Sequence, residues 1–103
     1  MNDYEKGWVS AFIDSEGSLI WAKNRMSPKM PVVQITNTNF LLLTKAQKLL
    51  GGTLCYHSGA NLVAWQLQIH FKYWKSWLCQ IPLIEKEVTR QEFLMFQMRK
   101  EKC

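Results

Sequence analysis

Residue types that often carry cofactor or disulfide chemistry are few in this sequence of 103 residues. Its three cysteines, Cys55, Cys79 and Cys103, are odd in number and have neither a CxxC nor a Cys/His zinc spacing. We therefore expect reduced thiols rather than disulfides or a zinc site. The two histidines, His57 and His70, stand alone, which is more typical of surface or strand-edge residues than of catalysts.

Long apolar runs are also lacking. None approaches the length of a membrane span, and no signal peptide precedes Trp8, because residues 1–5 are too polar for one. We expect an intracellular protein with no membrane partner, in an organelle or in bacterial or phage cytoplasm. A hydrophobic content of 48% with 20% charged residues, and no repeat or linker, predicts one globular domain spanning residues 1–103.

Acidic residues are the scarcer charged type. There are 8 Asp and Glu residues against 13 Lys and Arg, which gives a net charge of +5. This balance suits a polyanionic partner, although many proteins with no such partner share it.

The segment from Tyr4 to Gly17 predicts a helix with a small face and a bulky face. At about 100° per residue, one face carries Gly7, Ser10, Ala11, Asp14 and Ser15, and the other carries Trp8, Val9, Phe12 and Ile13. Small side chains over several turns allow another backbone to come very close. We therefore expect the bulky face to enter the core. The small face is predicted to form a dimer interface through Gly7, Ser10, Ala11 and Asp14.

The far end of this helix carries two acids. Asp14 and Glu16 lie in its last turn, before Gly17, a residue suited to a left-handed C-cap. Carboxylates are unfavourable at a helix C-terminus, which already has partial negative charge. A divalent cation with oxygen ligands would relieve that charge. The alternative is a plain core helix with a frayed acidic end.

The remaining pattern predicts an α+β fold. Strands are predicted at residues 18–24, 31–37, 53–57 and 62–70, with turns at 27–29 and 58–61. Asn2 or Asp3 can cap the first helix. A helix capped by Thr38 or Asn39 runs to Leu50 and is ended by Gly51 and Gly52, a short one follows His70, and the last runs from 83 or 84 towards Glu101. The order α-β-β-α-β-β-α-α predicts a four-stranded antiparallel sheet with helices on one face.

Two of these helices carry an apolar stripe that we expect to be buried. In the second helix the stripe consists of Leu42, Leu43, Ala46, Leu49 and Leu50, and in the last helix of Ile84, Val88, Leu94, Met95 and Met98.

The run VSAFIDSEG at Val9–Gly17 resembles the LAGLIDADG motif of homing endonucleases. Residues 37–39 with 42–52 resemble that family's second-helix block, and IPLIEK at 81–86 resembles its proline–leucine–lysine block. The resemblance covers nearly the whole chain. It implies a site-specific double-stranded DNA endonuclease of the homing type.

The resemblance also implies a set of site residues. Glu16 stands where the family's last motif acid binds the catalytic metal, Mg²⁺ or another divalent cation. Lys86 matches the family's site lysine, unless the alignment shifts by one residue and Lys86 is an ordinary surface lysine. Asn37 matches a polar position that orders solvent, whereas Leu41 stands where some relatives have a basic residue. Asp14 is assigned to the helix end, not to the metal.

One motif copy cannot build the family's active site, which needs two packed motif helices. The resemblance therefore implies a homodimer on a palindromic or near-palindromic duplex, since target symmetry mirrors protein symmetry.

The resemblance implies that the sheet is saddle-shaped and that its uncovered face contacts DNA. Alternation along the strands predicts which residues are exposed on that face. Glutamine and asparagine can bind adenine edges, and alanine, valine and isoleucine can meet thymine methyls. The predicted contacts are Ser18, Ile20, Ala22, Asn24, Val32, Gln34, Thr36, Tyr56, Ser58, Ala64, Gln66 and Gln68. Candidates for phosphate contacts are Lys23, Arg25, Lys29, Lys45, Lys48, Lys72 and Lys75.

Two other readings remain open. The same fold serves as an RNA-binding splicing cofactor (maturase) or as a DNA-binding module without cleavage. The chain is alternatively an interaction domain whose small-faced helix only dimerises. Glu16 and Lys86 favour the enzyme, because a pure binder does not need an acid at that helix end.

Overall fold

The computed structural model describes residues 1–24, 27–59 and 62–101, with side chains at 1–22, 29–56 and 64–101. The helices are α1 (Asp3–Glu16), α2 (Phe40–Leu50), α3 (Phe71–Trp74) and α4 (Glu87–Glu101), with a 3₁₀ turn at Leu78–Gln80. The strands are β1 (Gly17–Asn24), β2 (Ser27–Asn37), β3 (Thr53–Gly59) and β4 (Leu62–Ile69). None of the helices in these described ranges is long and apolar enough to cross a membrane.

The four strands form one antiparallel sheet in the order β1-β2-β4-β3. Alternate residues of the two central strands, among them Val33, Ile35, Leu67 and Ile69, are fully buried and pack with the helices. The helices lie on this one face of the sheet, so the predicted fold class and element order are confirmed.

Two tryptophans close the core beside the sheet. Trp74 is fully buried, and its indole N–H donates to the carbonyl of Pro31 at 3.0 Å. The Trp77 indole N–H donates to the carbonyl of Leu50, also at 3.0 Å. Because each buried indole has a partner, the rings bury their large apolar area without leaving an unsatisfied donor.

The helix starts agree with the capping signals. Asn2 caps α1 in a capping box with Glu5, and Asn39 caps α2 through the N–H groups of Leu41 and Leu42. Gly51 and Gly52, both at positive φ, end α2 as expected.

The prediction of a left-handed C-cap at Gly17 is wrong. Its φ of −93° and ψ of 171° are those of extended backbone. Glycine is needed here for a different reason, since an added Cβ would lie 2.8 Å from the carbonyl oxygen of Ile13. The missing side chain lets β1 begin directly where α1 ends.

We therefore expect Gly17→Ala to lower the free energy of unfolding by about 1–3 kcal/mol, the usual cost of overpacking. The added Cβ meets backbone atoms of Ile13, which cannot move aside as a flexible side chain can. Urea denaturation followed by circular dichroism measures the change. The control is the exposed neighbour Ser18→Ala, expected to stay within about 0.5 kcal/mol of wild type. Equal stability of the wild type and Gly17→Ala would contradict this explanation.

Several predicted boundaries are wrong. Residues 27–29, predicted as a turn, belong to β2. The predicted turn at 58–61 is wrong at 58 and 59, because β3 continues to Gly59, and its remaining positions 60–61 lie outside the described residues. The last helix begins at Glu87 rather than at 83 or 84. The reason is that the N–H of Leu83 donates to the Glu87 side chain and those of residues 84–86 donate to Asp14, which fixes a turn there.

The predicted buried stripe of α4 is also wrong at most positions. Ile84, Val88, Met95 and Met98 are 59–89% exposed, and only Leu94 packs partly against the core. The other inward positions of α4 include Arg90, Phe93 and Phe96.

Arg90 explains the error. Its guanidinium donates to the carbonyls of Leu78 and Cys79 at 3.2 and 3.0 Å and to Glu87 at 2.6 Å. A charged residue therefore lies on the inward face of α4, and a search for apolar residues at helical spacing does not identify it. In α2, Leu42 is likewise more exposed than predicted, at 37%.

Candidate active site

Glu16 is exposed at the end of α1. Its carboxylate has no hydrogen bond or ion pair within the described part of the chain. It lines an open depression of about 280 Å³, together with Asn37 and Leu42. The structure thus brings together Glu16 and Asn37, which are distant in the sequence.

Asn37 is held by the turn that leads into α2. It is the last residue of β2, and its side-chain oxygen accepts a hydrogen bond from the N–H of Asn39 at 2.8 Å. The amide nitrogen of Asn37 is thereby left as a donor beside Glu16, suited to binding solvent or an anion.

Lys86 reaches the same end of α1 from the segment before α4. Its ammonium donates to the backbone carbonyl of Asp14. A cation is favourable there, because the last carbonyls of a helix have no partner within the helix. The structure places Lys86 at the helix turn that also carries Glu16.

The Asp14 carboxylate accepts three hydrogen bonds from its own chain. The backbone N–H groups of Ile84, Glu85 and Lys86 lie 2.7, 3.0 and 3.3 Å from its oxygens. The bond from Ile84, then those from Glu85 and Lys86 and the Lys86 charge, hold the pKa of Asp14 below its ordinary value of 3.8, against the opposing effect of burial. Asp14 thus caps the turn at 84–86 rather than its own helix. This carboxylate, predicted at a dimer interface, is bound within the chain.

The small face of α1 is only partly open. Ser10 donates to the carbonyl of Pro82, so it also binds the chain's own segment 82–86. An added Cβ at Gly7 would meet nothing within 4 Å, and Ala11 is exposed. Gly7 and Ala11 line a groove of about 400 Å³ whose far wall includes Ile84. The predicted groove exists, and its open part centres on Gly7 and Ala11.

The face of the sheet opposite the helices, here called the open face, carries a network of side-chain amides. Gln66 donates to Gln34 at 3.3 Å and to Thr36 at 3.4 Å, and Gln68 donates to Gln66 at 2.9 Å. The strand register extends this surface to the edge strands. It sets Ser18 beside Gln34, and Thr53 beside Gln68. The open face is therefore polar and uncharged at these positions.

Two predicted positions on this face are not exposed. Val32 is 2% exposed and Ala64 is 5% exposed. Both lie on the central strands β2 and β4. Ile20 is the residue paired with Val32.

Tyr56 is on the wrong face for the predicted contact. It pairs with Trp65, their ring centroids are 5.1 Å apart, and Trp65 contacts Phe40 of α2 at 4.6 Å. Tyr56 therefore lies on the helix side of the sheet. The open-face positions of β3 are Thr53 and Cys55, which pair with Gln68 and Gln66. An inward Leu54 is the sequence signal that would have identified them.

Other predicted contacts have mixed outcomes. Ser18, Ile20, Ala22, Gln34, Thr36, Gln66 and Gln68 are at least partly exposed. The side chains of Asn24, Ser58, Lys23 and Arg25 lie outside the described residues. Lys45 and Lys48 belong to α2 on the helix side, and the Lys45 ammonium lies 4.9 Å from the Trp8 ring centroid.

The donor set at Glu16 fits a cation that prefers oxygen. Its free carboxylate is next to the negative end of α1, where a cation is favoured. In the described ranges no three His, Cys, Asp or Glu residues gather into a metal-binding cluster. Further ligands for a cation at Glu16 would come from outside the described part of one chain.

The fold is similar to those of several solved homing endonucleases. The structure of I-TnaI aligns with a TM-score of 0.74 and 21% identity, covering 94% of this chain and 74% of that chain. I-CvuI was solved with the I-CreI target in the presence of Mg, with the DNA not cleaved. It aligns with a TM-score of 0.67 and 15% identity, covering 85% of this chain and 62% of that chain. The LAGLIDADG meganuclease I-AabMI, bound to uncleaved DNA, aligns with a TM-score of 0.64 and 24% identity, covering 95% of this chain but 35% of that chain.

No protein-family model and no curated protein matches the sequence. The structural likeness agrees with the α+β element order and the sheet topology. The chain therefore has the fold of the LAGLIDADG homing endonucleases.

Proposed function

We propose that this chain is a site-specific double-stranded DNA endonuclease. It acts as a homodimer on a palindromic or near-palindromic target and hydrolyses phosphodiester bonds with the help of a divalent cation. The proposal rests on one arrangement at the end of α1: Glu16 and Asn37 line one depression, and Lys86 binds the last turn of the same helix. The small face of that helix is open at Gly7 and Ala11. The three solved proteins compared above are homing endonucleases, and two of those three structures contain DNA.

Glu16 would hold the cation, Mg²⁺ or a similar ion, with the target phosphates and Glu16 of a second copy as further ligands. The bound cation supplies Lewis acidity and lowers the pKa of an attacking water. Each chain contributes one such carboxylate, which is why the proposal requires two copies.

Lys86 and Asn37 would act beside Glu16. The Lys86 ammonium, held at the last turn of α1, is placed to offset the negative charge that develops on the phosphate during hydrolysis. The Asn37 side chain, fixed by its bond from Asn39, would bind a water near that phosphate.

The open face would lie against the duplex. Gln34, Gln66 and Gln68 offer amide donors and acceptors, the groups that pair with adenine edges in the major groove. Because these positions are uncharged, they contribute specificity more than affinity. Phosphate contacts from lysines outside the open face, such as Lys29, would supply salt-dependent affinity.

A cleavage selection tests the proposal. Wild-type protein is incubated with a random duplex library, with Mg²⁺ or with EDTA, and the cut ends are sequenced. We expect cleavage only with Mg²⁺ and a cut sequence with two-fold symmetry. An asymmetric cut sequence would contradict the homodimer. Absence of cleavage together with tight RNA binding would instead favour the maturase reading.

A further inference from the structure

Hydrogen bonds fasten segment 82–86 to both α4 and α1. Towards α4, the N–H of Leu83 donates to Glu87 at 3.0 Å, and Arg90 of the same helix binds the carbonyls of Leu78 and Cys79. Towards α1, the hydroxyl of Ser10 donates to Pro82, and Asp14 accepts from three successive N–H groups. The position of Lys86 relative to α1 thus depends mainly on Ser10 and Asp14.

Asp14 makes the stronger of these two attachments. Hydrogen bonds to a carboxylate are about twice as strong as those between neutral groups. Its three donors come just before α4, whose N-terminal end favours a negative charge. The same residue offers its carbonyl to the Lys86 ammonium, so a single residue binds both the backbone and the side chain of Lys86.

This arrangement accounts for an acid at an unfavourable helix end. The carboxylate of Asp14 is balanced by amides and by Lys86 of its own chain, whereas the carboxylate of Glu16 has no partner among the described residues. The two acids of the last turn therefore have different surroundings and different uses.

We propose that Asp14 is a positioning residue for Lys86, because it fastens the turn at 84–86 onto the last turn of α1 and keeps the Lys86 ammonium at the helix end that carries Glu16. The inference rests on the proposed function for the role of Lys86 in cleavage. The fastening itself does not depend on that function.

Hydrogen exchange measured by NMR on the DNA-free protein tests the fastening. We expect the amides of residues 84–86 to exchange at least ~10-fold faster in Asp14→Ala than in wild type, because their acceptor is removed. Asp14→Asn keeps one oxygen acceptor, so its exchange rates should lie between those of wild type and Asp14→Ala. This second variant keeps the test informative if Asp14→Ala does not fold. The matched control, Asp3→Ala at the other end of α1, leaves these rates unchanged. Equal exchange of the three amides in wild type and both Asp14 variants would overturn the inference.

A double-mutant cycle tests the action through Lys86. We expect Asp14→Ala to lower kcat about 10- to 100-fold, the cost of a misplaced catalytic group, while the Kd for DNA hardly changes. In a Lys86→Ala background, Asp14→Ala should lower kcat by no more than about threefold. Full additivity of the two losses would overturn the positioning role and leave the proposed function intact. If wild-type protein cleaves no duplex at all, the proposed function fails, the positioning role fails with it, and the exchange rates still decide the fastening.

Discussion

Glu16→Gln is expected to lower the rate of DNA cleavage by at least ~10³-fold, as removal of an essential active-site group does. Glutamine has nearly the same size but no charge, so it loses the carboxylate that would hold the cation. The Glu16 side chain is exposed and has no partner in the described structure, so the substitution should leave folding unchanged. DNA binding should also persist, since Glu16 lies at the end of α1 and not on the open face. Single-turnover cleavage and a filter-binding Kd measure the two effects separately.

The control for this prediction is Glu85→Gln. Glu85 is an exposed acid near the same helix end, and it reaches Asp14 only through its backbone N–H among the described contacts. The same loss of one negative charge at Glu85 should change cleavage only a few-fold. If Glu16→Gln cleaves at the wild-type rate, or if both variants lose activity equally, Glu16 is not the metal ligand.

Features that depend on neighbouring residues could be predicted from the sequence. The capping box at Asn2, the cap at Asn39 and the glycines after α2 follow from hydrogen bonds within one turn of the chain. Alternation identified Gln34, Gln66 and Gln68 on one side of the sheet, because the side-chain period of a strand is two residues. The motif helix and its small face likewise required only the helical period.

Features that depend on distant contacts could not be predicted in this way. The binding of Asp14 to residues 84–86 joins positions about 70 apart in the sequence, and no local pattern indicates it. Arg90 is buried only because Leu78, Cys79 and Glu87 surround it with acceptors. Tyr56 was misplaced because register across β3 and β4, not residue type, decides which face it occupies.

The correct placement of Tyr56 changes the chemical character of the open face at β3. With Thr53 and Cys55 in place of Tyr56, the edge next to Gln66 and Gln68 is small and polar instead of aromatic. A duplex lying there would meet hydrogen-bonding groups across all four strands, from Ser18 to Thr53. The corrected surface has smaller side chains on β3 than the predicted one, and its hydrogen-bonding groups are of the kind that bind base edges.

Ala11→Leu is expected to weaken self-association by roughly 30-fold or more while leaving the single chain folded. A bulky residue in a close helix contact costs about 1–3 kcal/mol, and two-fold symmetry places each substitution twice in one interface. Within one chain Ala11 is exposed on α1, and leucine has a high helix propensity. The loss should therefore appear in the association constant, measured by sedimentation equilibrium, and not in the unfolding of the monomer.

Gly7→Ala distinguishes the single chain from the dimer, because the substitution should stabilise the first and weaken the second. In the single chain an added Cβ meets nothing within 4 Å, and glycine to alanine in a helix gains about 0.5–1 kcal/mol. If a second α1 packs against Gly7, the same methyl group pushes the helices apart. We expect a more stable monomer that associates less and cleaves less at equal concentration. Glu92→Leu, at an exposed position on α4 that does not line this groove, adds apolar bulk and should leave association unchanged. Wild-type association and cleavage by both α1 variants would mean that the small face is not where two chains meet, and that Glu16 has no symmetry-related partner to share a cation.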